Sequence, residues 1–113
     1  MSEMTNYIKD ILNHDMPIVW SWGAKNFIAT TFKGMEALRF SVNGFIHKGE
    51  VAIAYNEGND VFEVYCIDNE GKVVNNHDDV MFDELVGVID RMVEKNTSQK
   101  RYNEQIGDWF SKL

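Results

Sequence analysis

Residues 37–74 read ALRFSVNGFIHKGEVAIAYNEGNDVFEVYCIDNEGKVV, and this stretch decides the fold. Leu38, Phe40 and Val42 alternate with Arg39 and Ser41, then comes Asn43-Gly44, and apolar residues resume at Phe45. Asn-Gly between alternating runs is the strongest short-range hairpin signal, because a type I′ turn needs two residues that tolerate positive φ. Further on, Asp68-Asn69-Glu70-Gly71 separates Val64-Tyr65-Cys66-Ile67 from Val73-Val74. Asp opening a type I turn and Gly closing it suit a slightly longer hairpin. The stretch therefore spells an antiparallel meander, which fixes a scaffold and not a chemistry.

Outward from it, the periodicity places the remaining elements. Met4, Tyr7, Ile8, Ile11 and Leu12 recur at helical spacing, with Thr5 as cap, and Pro17 ends that helix near Asn13-His14-Asp15. Ile18, Trp20 and Trp22 alternate with Val19 and Ser21, which reads as a strand stopped by Gly23. A strand over 26–32, a turn at Lys33-Gly34 and a strand over 36–42 follow. Residues 45–56 read as one strand bent at Gly49, the alternative being two strands split at Lys48-Gly49. A strand over 61–67 and a short one over 72–75 close the sheet. From Phe82 the period becomes helical, with Leu85, Val88, Ile89 and Met92 as a stripe running to Lys95. A short final helix from about 99 carries Tyr102, Ile106, Trp109, Phe110 and Leu113 on one side. The expected fold is a single α+β domain over 1–113. It has an N-terminal helix, a mostly antiparallel five- or six-stranded meander sheet, a long C-terminal helix and a short final one.

The strand at 61–67 is apolar on both faces, with only Glu63 interrupting. Such a strand is covered on both sides. The helix at 82–95 can cover one face. The N-terminal helix, the final helix or a second subunit must cover the other. If all helices pack on one face, a homodimer through the sheet or the C-terminal aromatic stripe is expected.

Composition bounds the function. With 113 residues, 44% of them hydrophobic, the chain can bury a core without disulfides or metal. The single cysteine, Cys66, lies in a strand pattern without a basic neighbour, which suits a structural thiol in a reducing compartment. No run approaches the roughly 20 apolar residues of a membrane span. The start Met1-Ser2-Glu3-Met4-Thr5-Asn6 lacks a secretory pattern, so a cytoplasmic protein with no membrane partner is expected. The net charge is −7 but uneven. Residues 17–50 carry 4 basic and 2 acidic groups, whereas 51–96 carry 3 basic and 11 acidic ones. An acidic total disfavours direct nucleic-acid binding, which rests on neutralising phosphates.

Chemistry-bearing patterns are few. His14, His47 and His77 lack ligand spacing, and Asn75-Asn76-His77-Asp78-Asp79 reads as a polar loop before a helix. Ser21 and Ser41 lie outside any nucleophile-elbow pattern, and the glycines are spaced as turns. No catalytic, metal or cofactor residue is assigned. Trp20 and Trp22 would share a strand face, and with Tyr65, Trp109 and Phe110 they form the candidate interaction surface. Beside Lys25, Lys33, Arg39 and Lys48 the two tryptophans also suggest a single-strand stacking platform, although large aromatics more often fill a core. Glu57, Asp60, Glu63, Asp68, Glu70, Asp78 and Asp79 form a candidate acidic surface able to imitate phosphates.

Three segments together carry a resemblance: Met16-Pro17-Ile18-Val19-Trp20-Ser21-Trp22-Gly23, Leu38-Arg39-Phe40-Ser41-Val42-Asn43-Gly44-Phe45, and Phe82-Asp83-Glu84-Leu85-Val86-Gly87-Val88-Ile89-Asp90. Over residues 8–95 the pattern resembles small α+β proteins of unknown activity encoded by gut bacteria and their mobile elements. The resemblance implies a compact α+β domain of phage or mobile-element origin and transfers no functional residue. The expected function is a non-enzymatic protein-binding or adaptor module. The alternatives are an acidic nucleic-acid-mimicking inhibitor and, third, an enzyme on a small ligand.

Overall fold

Each strand of the meander pairs with the next along the chain, so no crossover connection is needed. In the computed structural model, which describes residues 3–95, the strands are β1 (Lys25–Phe32), β2 (Met35–Asn43), β3 (Lys48–Asn56), β4 (Val61–Ile67) and β5 (Val73–Val80). They form one antiparallel sheet in the order β1-β2-β3-β4-β5. The N-terminal helix α1 spans Glu3–Asn13, and α2 spans Met16–Ser21. At the other end of the chain α3 spans Leu85–Asp90 and runs on into a π-helical turn, Arg91–Lys95. The expected α+β class and five-stranded antiparallel meander are present. The C-terminal helix, however, is short and not long: residues 82–84 form a turn, and only 6 residues are α-helical before the helix widens. The final helix, with Trp109 and Phe110, lies outside the described residues.

Residues 16–21 are helical and Trp22 caps them, contrary to the strand reading. Alternation over so few residues does not exclude a helix. Pro17 at the first turn, after Asp15 at the N-cap position, starts α2, because a proline there loses no hydrogen bond. The helical geometry separates the two tryptophans. Trp22 is fully buried while Trp20 is 74% exposed, so they share no face and make no stacking platform. Thr5 lies inside α1 as a buried residue and is not its cap.

The hairpin turns also redistribute. Lys33 and Gly34 both take positive φ (52° and 80°) and join Phe32 to Met35 in a two-residue type I′ turn. Asn43 and Gly44 do not adopt positive φ; β2 instead ends in a four-residue loop, Gly44 to His47, before β3 begins. Phe45 does not join the buried face of Leu38, Phe40 and Val42 but projects into solvent. The bent-strand expectation shortens to β3, with Gly49 near its start at φ +149°. A Cβ there would lie 2.3 Å from the Ile67 carbonyl oxygen, so two strands meet at a distance only glycine allows. The Asp68 turn forms as read: the Asp68 carboxylate accepts the Glu70 and Lys72 N–H groups at 2.9 Å each, and Gly71 sits at φ +85°.

The run 75–79 is strand and not loop. β5 is exposed at every residue before Val80, and it carries two irregularities and a positive φ at Asp79. An edge strand needs no apolar alternation, and charges and bulges on it deter pairing with other chains.

The sheet has two unequal faces. Ile8 and Leu12 of α1, Val19 of α2 and Leu85, Val88 and Ile89 of α3 pack with Leu38, Phe40, Val51, Ile53, Val64 and Cys66. All three described helices therefore lie on one face. Burial pushes the Cys66 thiol up to about 11, which keeps it protonated and unreactive. The opposite face is closed by its own side chains. Ala37, Ala52 and Ala54 are fully buried beneath Tyr65 and Ile67, with Phe32 and Met35 alongside. Alanines on the two middle strands leave room for Phe32 of β1 and Tyr65 of β4 to meet above them, ring centres 4.8 Å apart. The Lys33 ammonium sits 4.7 Å from the Tyr65 ring centre, and the Tyr65 hydroxyl donates to Glu63. Strand β4 is thus covered on both faces, on the second by no helix.

Burial, then the Glu63 carboxylate, raise the Tyr65 phenol above its usual range. A raised folded-state value stabilises the fold below the ordinary tyrosine pKa of about 10 and is lost as pH climbs beyond it. Denaturant titrations from pH 8 upward should show stability falling above about pH 10, and less steeply in Tyr65→Phe. Equal slopes for the two proteins would contradict this assignment.

Candidate interaction surface

Three segments converge at the end of the sheet where β2 finishes. Trp22 closes α2, and its indole N–H donates to the Asp90 carboxylate at 2.9 Å inside the core. Its ring stacks on Phe40 at 6.5 Å, and Phe40 stacks on Phe27 at 4.9 Å. The Trp22 carbonyl accepts the Asn43 N–H at 2.7 Å. One residue later Gly44 presses on the π-helical turn: a Cβ there would stand 2.3 Å from the Val93 Cγ1 and 2.6 Å from the Val93 oxygen. Glycine is needed here for close approach and not for positive φ.

The loop backbone then binds inward. Ile46 and His47 N–H groups both donate to the Val93 carbonyl, at 2.8 and 3.1 Å, and Phe45 N–H donates to the Glu94 carboxylate at 2.9 Å. The loop thus supplies two donors to one carbonyl of the π-helical turn. The His47 ring is buried, its Nε2 3.0 Å from the Glu50 carbonyl. With its amides directed inward, the loop directs Phe45 and Ile46 outward. Phe45 is 71% exposed and Ile46 is also exposed. On α2, Ile18 and Trp20 face solvent in the same way. Trp20 and Phe45 each lie two residues from the Asn43–Trp22 hydrogen bond, on the two segments that it joins.

Of the sequence-derived interaction residues, Trp20 alone is exposed among those described. Trp22 belongs to the core, Tyr65 closes the alanine face, and Trp109 and Phe110 are not described. Phe45 and Ile46 were missed because Asn43-Gly44 reads as a tight turn that continues the strand. The second glycine five residues on, Gly49, was the available sign of a longer loop.

The acidic residues divide. Glu57 and Asp60 lie in the β3–β4 turn and Asp78 and Asp79 beside it at the end of β5, whereas Asp68 and Glu70 lie at the opposite end of β4. Three of the carboxylates serve the fold. Asp60 accepts the Tyr55 hydroxyl at 2.6 Å, Glu63 holds Asn56 at 2.8 Å and also Tyr65, and Asp68 organises its turn. An open cleft of about 710 Å³ is lined by Lys25, Arg39, Lys48, Glu50, Asp68 and Glu70 among others. Its charges are of both signs, and Arg39 meets Glu50 at 2.6 Å. Among the described residues, no group of three or more His, Cys, Asp or Glu side chains could hold a metal ion. No described helix is long and apolar enough to cross a membrane.

The Gly44 contact is directly testable. Gly44→Ala forces a methyl group into Val93 and should lower unfolding stability by about 1–3 kcal/mol. Gly34→Asn, at an open positive-φ turn position, should change stability by only a few tenths of a kcal/mol. Chemical denaturation of both variants checks this, and equal losses would show that Gly44 is not a contact glycine.

No protein-family model, no curated protein and no solved structure matches this chain.

Proposed function

We propose that this protein is a non-enzymatic protein-binding module and that Trp20, Phe45 and Ile46 are its contact residues. The observation that carries the reading is the combination of a loop whose amides donate two hydrogen bonds to the Val93 carbonyl and one to the Glu94 carboxylate with an aromatic side chain, Phe45, left 71% exposed at its tip. Large exposed apolar groups on a folded domain mark interaction sites. Two rings exposed to this extent offer on the order of 300 Å² to a partner. That corresponds to about 7 kcal/mol gross at 25 cal/mol/Å². Because the backbone is already fixed, little ordering cost opposes this gain.

The mimic reading has less support. Its carboxylates fall at two ends of β4 and several are engaged in turns, so they make no continuous row. A cytoplasmic setting accords with the lone buried cysteine, and a phage or mobile-element source rests on the residues quoted for the resemblance.

Trp20→Ser with Phe45→Ser removes both rings from exposed positions and should move stability by no more than about 0.5 kcal/mol. Affinity purification from the native cell with the wild-type chain should yield a partner protein that the double variant fails to retain. Identical co-purifying proteins for both chains would exclude these residues as the contact surface.

A further inference from the structure

The two edges of the sheet are built differently, and the difference points to self-association. β5 carries Asp78 and Asp79, two irregularities and an Asp in a positive-φ conformation. β1 has none of these from Ile28 to Phe32. The sequence Phe27-Ile28-Ala29-Thr30-Thr31-Phe32 holds no charge and no proline and is rich in β-branched and aromatic residues. Ile28 is 56% exposed, and Thr30 and Thr31 are exposed too. An uncharged edge of this composition is a template for strand addition.

The backbone directions follow from the adjoining turn. In a two-residue hairpin the residues flanking the turn form a hydrogen-bonded pair, and such pairs alternate along an antiparallel ladder. Phe32, Thr30 and Ile28, opposite Met35, Ala37 and Arg39, therefore direct their amides and carbonyls toward β2. Ala29 and Thr31 direct theirs outward.

We propose that β1 is a homodimer edge: two copies pair antiparallel through Ile28–Phe32 and continue one sheet into the other. The register is set by the chain itself. Like faces stay together only if a residue lies opposite itself across the dyad. Centring on Thr30 uses all of Ile28–Phe32, places Ala29 opposite Thr31 of the second copy as an exchanging pair, and sets Ile28 against Phe32 of that copy. Centring on Ala29 instead sets Lys25 opposite Lys33 of the second copy. Centring on Ile28 runs the pairing into the irregularity between Lys25 and Ile28, where Asn26 takes φ +60°. The charge distribution agrees. Both chains carry −7, but β1 lies within residues 17–50, where basic groups outnumber acidic ones 4 to 2, so the copies meet through their least acidic side.

Sedimentation velocity on the full chain, from about 1 to 100 μM, tests the proposal. The wild type should reach twice the 13.1 kDa of one chain. Thr30→Lys sets two ammonium groups against each other at the dyad, and Ala29→Pro removes an outward N–H without touching the β1–β2 ladder. Each variant, with a circular dichroism spectrum like the wild type's, should weaken the dimer tenfold or more. A wild type that stays monomeric at the highest concentration overturns the proposal, and so does a dimer that survives both substitutions. Trp20 and Phe45 are unaltered in these variants, so failure here is separable from failure of the contact surface.

Discussion

The Trp22 indole N–H donates to the Asp90 carboxylate at 2.9 Å, with both residues in the core, and the rest of the molecule is arranged around that bond. A carboxylate brought out of water costs several kcal/mol unless hydrogen bonds replace its hydration. The bond ties the end of α2 to the last residue of α3 across the core. Once α2 is set, its last carbonyl receives the Asn43 amide and fixes the end of β2. Once α3 is set, its π-helical turn brings the Val93 carbonyl to the β2–β3 loop. The exposed rings of Trp20 and Phe45 are thus a consequence of buried polar bonding, because a backbone occupied on its inner side leaves its side chains outside.

The same economy closes the second face of the sheet. A doubly apolar β4 demands cover on each side. Three alanines beneath Tyr65, Phe32 and Ile67 meet the demand with side chains of the sheet itself. What is left unsatisfied is an edge and not a face, and the uncharged β1 stands in contrast to the acidic, bulged β5.

Much of the fold was legible in the sequence, for identifiable reasons. Period-two alternation marked β2, a short apolar run between two turns marked β4, and the stripe of Leu85, Val88, Ile89 and Met92 marked α3. The Asp68 turn formed as its residues dictate. The failures share a cause: short segments whose conformation is set by distant contacts. Ile18 to Trp22 alternates like a strand, yet Pro17 and the Trp22–Asp90 bond make it a helix. Asn43-Gly44 has the chemistry of a type I′ turn, but Val93, 49 residues on from Gly44, claims that glycine for close contact. Residues 75–79 look like a loop because an edge strand can be polar throughout. The contact surface was legible only at Trp20. Phe45 is apolar and follows a strand, and nothing in its local sequence says that its loop is held by its amides.

Hydrogen exchange at the Ile46 and His47 amides tests the account most directly. Both donate to the Val93 carbonyl, so in the wild type they should exchange only through large-scale opening, with protection approaching that of the central strand β3. In Asp90→Ala, which loosens α3, that protection should fall while β3 stays protected. Loop amides that exchange in the wild type at the rate of an unstructured peptide would contradict the claim that buried bonding at Trp22, Asp90 and Val93 holds this surface in place.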